Sequence, residues 1–331
     1  MAEEPPIDPA RRIIDPHLHF WDPHPSMRFL VPEAAAMIAE SGHAVTHTVF
    51  VQCHAMHRAH GDEDFRPVGE TEFVVGQAAM SDSGNYGPAR LGHRIVGTAN
   101  PMLGSRIRPV LEAHLRAGGG RFRGIRMNSA WSAKGMFGAP ADPAGEGIAA
   151  RAEFRESARV LADMDLSLDL WCFHPQLGEI IALADAVPDL AIVLDHLGTP
   201  EDRSAEVRRL WLAEITDLAR RPNVAIKLGG LGMDHRSALG GPPREAGSAA
   251  LAEEWRPYIE PAIAAFGPNR AMFESNFPPD NATASYGATW NAFKIIVADY
   301  SEAEKDDLFW KTAARFYRIA EDGEGGGGVP A

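Results

Sequence analysis

Eight short β-rich runs recur along the chain, at residues 12–15, 47–53, 94–99, 122–127, 167–173, 191–194, 223–228 and 271–274. Segments with helical spacing lie between most of them, at 70–80, 106–117, 152–164, 176–186, 205–219 and 257–266, and a last apolar stripe runs from 301 to 319. Strand alternating with helix eight times predicts βα units and a parallel sheet, and eight such units close into a single (β/α)8 TIM barrel of the α/β class. A doubly wound open sheet is the alternative. No G-x-G-x-x-G follows the first run, which counts against a dinucleotide-binding sheet. The 331 residues then divide into an extension at 1–11, one barrel at 12–320 and a Gly-rich tail at 321–331 that is expected to be disordered.

Composition narrows the function classes. Hydrophobic residues make up 45% and charged residues 23%, values of a folded chain, and the net charge is −13 with the basic residues scattered. An acidic chain without a basic stripe is a poor nucleic-acid binder. No apolar run reaches the roughly 18 to 20 residues that span a bilayer, and the N-terminal residues lack the pattern of a signal peptide, so a cytoplasmic location is expected. Cys53 and Cys172 form no CxxC pair and read as small core residues. Three connections are long, at 54–69, 128–148 and 229–247. In a barrel all three follow strands and lie on the face where active sites and lids are built.

The ends of the runs carry polar residues that an apolar strand has no structural need for. The first offers His17 and His19, which share a strand face with Asp15. Gln52 and His54 end the second, Arg126 and Asn128 the fourth, His174 the fifth, and Asp195 and His196 the sixth. Lys227 lies in the seventh; Glu274 and Asn276 end the eighth, with Asp280 four residues on. Converging imidazoles suit a divalent metal or an anionic, oxygen-rich substrate. Each also has a plainer explanation: His174 precedes a proline as a helix N-terminal residue does, Asp195 precedes a glycine turn it could organise, and Arg126 could be a structural ion-pair partner. A buried Lys227 needs a partner, for which Glu274 or a substrate carboxylate would serve.

Together these pieces resemble the amidohydrolase superfamily, in particular the lactonase-like branch that includes 2-pyrone-4,6-dicarboxylate lactonase and fuconolactonase. The matching stretches are Asp15-Pro16-His17-Leu18-His19-Phe20-Trp21, Gly124-Ile125-Arg126, Phe173-His174-Pro175, Leu194-Asp195-His196-Leu197-Gly198, Ile226-Lys227-Leu228-Gly229-Gly230 and Glu274-Ser275-Asn276-Phe277-Pro278. The resemblance implies a metal-dependent-hydrolase-like barrel with His17, His19, His174 and His196 as site histidines. The superfamily usually has a water-activating Asp where this chain has Asn276. An amide is no general base near neutral pH and is a weaker metal ligand than a carboxylate. His196, and after it Asp280, is the expected base.

The reading is a hydrolase that opens a small, carboxylate-bearing lactone. Gln52, Arg126, Lys227 and Glu274 form the substrate-binding set. His17, His19 and His174 polarise the carbonyl either directly or through one divalent ion, zinc by preference, and the resemblance includes members without a tightly held metal. A metal-dependent decarboxylase or hydratase is the rival from another enzyme class; a non-catalytic ligand-binding relative, supported by Asn276 alone, is the third reading. The expected partner is a small molecule, not nucleic acid or membrane, and a homo-oligomer is left open.

Overall fold

The computed structural model describes residues 4–22, 28–137, 139–233 and 246–320. Its strands are β1 (Ile13–Leu18), β2 (Val45–Val51), β3 (Arg90–Gly97), β4 (Phe122–Asn128), β5 (Ser167–Trp171), β6 (Ile192–Leu194), β7 (Val224–Leu228) and β8 (Ala271–Phe273). Each pairs in parallel with the next in sequence. Closure comes just beyond β8, where Asn276 N–H donates to the His17 carbonyl at 3.0 Å and His19 N–H to that of Phe277 at 2.9 Å. The result is a (β/α)8 TIM barrel.

Strand alternation sorts the apolar side chains into two cores. Ile13, Phe50, Ile95, Leu168, Leu170, Ile192, Leu194, Ile226, Leu228 and Phe273 point outward into the layer shared with the helices. Their neighbours Ile14, Val49, Val51, Val96, Val193, Ala225 and Met272 form a separate inner core, joined from below by Ala313, Ala314, Tyr317 and Ile319 of the C-terminal helical run, 302–317 and the residues after it. By the same parity Arg126, Asp169 and Lys227, each flanked by outward apolar residues, face the interior. The polar residues therefore sit over a floor of small aliphatic side chains.

One helix follows each strand: α1 (Val31–Ser41), α2 (Val68–Asp82), α3 (Arg108–Gly118), α4 (Ala152–Asp163), α5 (Leu177–Ala186), α6 (Ala205–Leu218), α7 (Ser248–Phe266) and α8 (Tyr286–Ile296). Sequence spacing had predicted neither α1 nor α8, and only the second half of α7, which runs through Pro257 and Pro261. Residues 4–11 lie across α8, where Ile7 N–H donates to Asn291 Oδ1 at 2.7 Å and Lys294 Nζ to the Asp8 carbonyl at 2.9 Å. The connection after β2 is anchored by Glu70 of α2, whose buried carboxylate accepts from the N–H groups of Cys53 and Ala55 at 2.9 and 2.8 Å. The tail at 321–331 and residues 234–245 of the connection after β7 lie outside the described residues. No helix among those described is long and apolar enough to cross a membrane.

Asp15 pins the closure. Fully buried, it accepts from His17 N–H at 3.2 Å, Ser275 N–H at 3.1 Å and the Tyr286 hydroxyl at 3.0 Å, linking β1 to the end of β8 and to α8. Burial pushes its carboxyl up to about 6 against these bonds. Because the folded value exceeds the unfolded one, the stability Asp15 confers is greatest in acid and declines as pH rises through about 6. Tyr286→Phe should therefore destabilise by about 1–3 kcal/mol, the cost of a lost bond to a buried charge, and more at pH 8 than at pH 5 in urea unfolding.

Candidate functional site

The inward residues at the strand ends meet at the C-terminal mouth. A register shift between Asp15 and Leu18 lets β1 present His17 and His19 together, with ring centroids 4.9 Å apart. His17 and His196 lie 4.6 Å apart, so β1 and β6 deliver imidazoles to one volume.

Glu274 fixes both. Its Oε2 lies 2.8 Å from His17 Nδ1, and its Oε1 lies 2.7 Å from His196 Nδ1 and accepts the His196 backbone N–H at 3.0 Å. One carboxylate thus takes an Nδ1–H from each ring and leaves both Nε2 atoms as acceptors. Burial pushes Glu274 up, but His196 and His17 more than offset it and its carboxyl lies below the usual range. Burial favours neutral His196, yet Glu274 and Asp195 outweigh this and its pKa is raised. The backbone makes room: a Cβ on Gly230 would overlap the His196 ring, and one on Gly229 would overlap Glu274. His196, Leu197 and Asn276 adopt positive φ of 54°, 57° and 52°, a strained geometry that side chains accept where function fixes them.

Beneath lies a second charge cluster. Lys227 Nζ is 2.7 Å from Asp169 Oδ2, 3.0 Å from Asp195 Oδ1 and 3.2 Å from His17 Nδ1, all at 0% exposure. The Tyr317 hydroxyl donates to the same Asp169 oxygen at 2.7 Å. Burial works against the Lys227 charge, but Asp169, Asp195 and Glu274 overcome it and hold the ammonium protonated. The sequence had paired Lys227 with Glu274; the direct partners are Asp169 and Asp195. Asp169 and Tyr317 were missed, although an Asp between Leu168 and Leu170 in a buried strand was itself a signal.

Around this centre, Asn276 Nδ2 donates to Asp280 Oδ1 at 2.7 Å while its Oδ1 lies 3.3 Å from His19 Nε2. His19 Nδ1 donates to the Val51 carbonyl at 2.7 Å. Asp280 also accepts Gly232 N–H at 3.0 Å, and burial pushes its carboxyl up to about 7. Arg126 reaches toward His17 Nε2 at 3.4 Å and donates to the Gln52 carbonyl; its Nε and the Gln52 side-chain oxygen are buried without hydrogen-bond partners. The Nδ1 of His174 accepts Glu201 N–H at 3.3 Å, and burial lowers its pKa against Glu201 and Asp202. One wall is apolar. Trp171 lies 6.3 Å from His196 and packs with Phe173, Ala130, Met136, Phe137 and Met233, while Trp21 stacks on His19 at 5.8 Å.

Among the described residues one trio of potential metal donors forms, His17, Asp195 and His196, with a ligand atom from each within 4.8 Å of the others. It differs from the expected His17, His19 and His174. Zinc needs about 2.0–2.2 Å to nitrogen and oxygen donors and a net negative or neutral set around it. Here two of the three donors already border the Lys227 ammonium, and a unit-charge pair at 4 Å costs about 4 kcal/mol at an effective dielectric of 20. A divalent ion does not fit this arrangement.

Comparison with known proteins follows the same lines. The chain is 33% identical over 322 residues to the uncharacterized protein y4mH of Sinorhizobium fredii, covering 93% of this chain and 98% of that one. It is 30% identical over 177 residues to an L-fucono-1,5-lactonase of Burkholderia multivorans, which covers 51% of this chain and 57% of the lactonase. Among solved structures, an amidohydrolase from Burkholderia multivorans, seen with bound HEPES in one crystal and bound zinc in another, superposes with a TM-score of 0.70 at 25% identity, over 93% of this chain and 99% of that one. The family described as amidohydrolase matches residues 14–319, from the first strand to the end of the C-terminal helical run, and the chain belongs to it.

Proposed function

We propose that the site hydrolyses the ester bond of a small lactone that carries a carboxylate, without a metal. The observation that carries this reading is Glu274, which orients two imidazoles by their Nδ1 atoms and so leaves each Nε2 ready to take a proton. The likeness to an L-fucono-1,5-lactonase supports the choice of bond.

In this scheme His196 removes a proton from water, whose oxygen attacks the lactone carbonyl carbon. Arg126, with its unpartnered Nε, holds the substrate carboxylate, assisted by Gln52. Attack gives a tetrahedral oxyanion at the mouth beside the Arg126 guanidinium, which lies 3.4 Å from His17 Nε2. Collapse breaks the ring C–O bond, and the leaving oxygen takes a proton from Asp280, whose value of about 7 keeps part of it protonated at neutral pH. The proton on His196 then returns the two groups to their starting states through Asp280 or solvent. Lys227 and Asp195 sit below and set the charge balance. His17 and His19 line the carbonyl, and His174 is tied to the Glu201 backbone. A decarboxylase of the metal-dependent kind is disfavoured by the poor fit of the donor set to a divalent ion.

A panel of lactones and unsaturated dicarboxylates, assayed with and without chelator, tests the reading. Ring opening of carboxylate-bearing lactones at an unchanged rate in chelator is expected; carbon dioxide release, or activity that disappears with chelator, would overturn it. Arg126→Ala should raise KM for those lactones by roughly 10-fold or more, the loss of a charge-assisted pair, with a smaller effect on neutral lactones.

The pH profile separates the two proton carriers. With His196 acting as base and Asp280 as acid, kcat/KM should be bell-shaped around neutrality. Asp280→Asn should lower the rate and leave only the ascending limb. Glu274→Gln removes the charge that raises His196, so the ascending limb should move to lower pH. A profile unmoved by both substitutions would place the chemistry elsewhere.

A further inference from the structure

We propose that Lys227 stands in the place of a divalent metal, its ammonium neutralising the donor group at the barrel floor and excluding zinc from it. The inference rests on the metal-free part of the proposed function and deepens it, while the zinc measurements below do not depend on which bond the site cleaves.

Three observations carry it. First, Nζ lies 2.7, 3.0 and 3.2 Å from Asp169 Oδ2, Asp195 Oδ1 and His17 Nδ1, so the ammonium already sits against two of the three donors of the His17, Asp195 and His196 trio. Second, His17 is flanked by a cation at each nitrogen, Lys227 at Nδ1 and Arg126 at Nε2, the latter 3.4 Å away. An ion approaching the Nε2 lone pair meets the Arg126 guanidinium, and the Nδ1 side is taken by Glu274 and the ammonium. Third, Lys227 is at 0% exposure and its stem is fixed in β7 between Ile226 and Leu228, both fully buried, so the ammonium has no route to solvent. A zinc ion could enter only by displacing it against Asp169, which Tyr317 holds from the other side. The ammonium is a charge of one built into the chain, supplied at fixed position and independent of metal supply.

The test is zinc titration calorimetry with elemental analysis on the full chain. Wild-type protein should take up no stoichiometric zinc at micromolar concentration. Lys227→Ala removes the ammonium while leaving Asp169, Asp195 and His17, and should bind one zinc per chain on the order of 100-fold or more tighter than wild type, as expected from removing a close like charge. Adding His17→Ala to that variant should abolish the gain and so locate the ion. Folded Lys227→Ala that binds zinc no better than wild type overturns the proposal. So does wild-type protein carrying one chelator-resistant zinc per chain, a measurement that decides the matter even if the variant fails to fold. Lys227→Gln, which keeps a donor for Asp169 without the charge, is the second variant and should gain zinc affinity as well.

Discussion

The ammonium of Lys227 holds two buried carboxylates, Asp169 and Asp195, at the base of the candidate site. Asp169 and Asp195 lie against it at 2.7 and 3.0 Å, and Glu274 acts on it at longer range. Isolated carboxylates in such a place would neutralise themselves by taking up protons. With the cation present, Asp195 is held below its usual range. Glu274 is held low by the two imidazoles it grips, His196 and His17, so the charge of that carboxylate and the orientation of those rings depend on each other. Removing one member leaves an uncompensated charge, which is why such clusters are sensitive as units rather than residue by residue.

The backbone contributes as much as the charges. Gly229 and Gly230 bring the end of β7 so close to Glu274 and His196 that any side chain there would collide with them. Across the mouth, Asn276 occupies the position of the superfamily carboxylate but passes its contact to Asp280, so an acid still borders the reacting volume, one turn of chain farther on. Burial rather than a neighbouring charge sets the value of that acid. The amide at the end of β8 thus hands its contact to a buried carboxyl on the following loop.

Much of this was readable from sequence because strands carry their information locally. Alternation around Ile125-Arg126-Met127 and Ile226-Lys227-Leu228 marks which side chains face inward, and the polar endings of the runs gather at one mouth once the barrel closes. Helix α8 is not readable for a physical reason. An amphipathic stripe exists only where one face meets water, and α8 is buried from Tyr286 through Lys294, so it has no contrast to detect. Pro257 and Pro261 hid the first half of α7 because proline ordinarily marks a helix boundary. The partners of Lys227 were invisible for another reason: Asp169 is 58 positions away and Tyr317 reaches Asp169 across 148, pairings that only the closed barrel creates.

The C-terminal helical run also bears on how the barrel is closed. Ala313, Ala314, Tyr317 and Ile319 seal the bottom of the inner core, and the Tyr317 hydroxyl is what Asp169 meets from beneath. All eight strands precede this segment in the chain. Strand pairing and the closing of the floor are thus made by different parts of the chain, the floor by a segment that follows every strand. The barrel takes its shape from the strands and one of the contacts of its buried ion cluster from the plug.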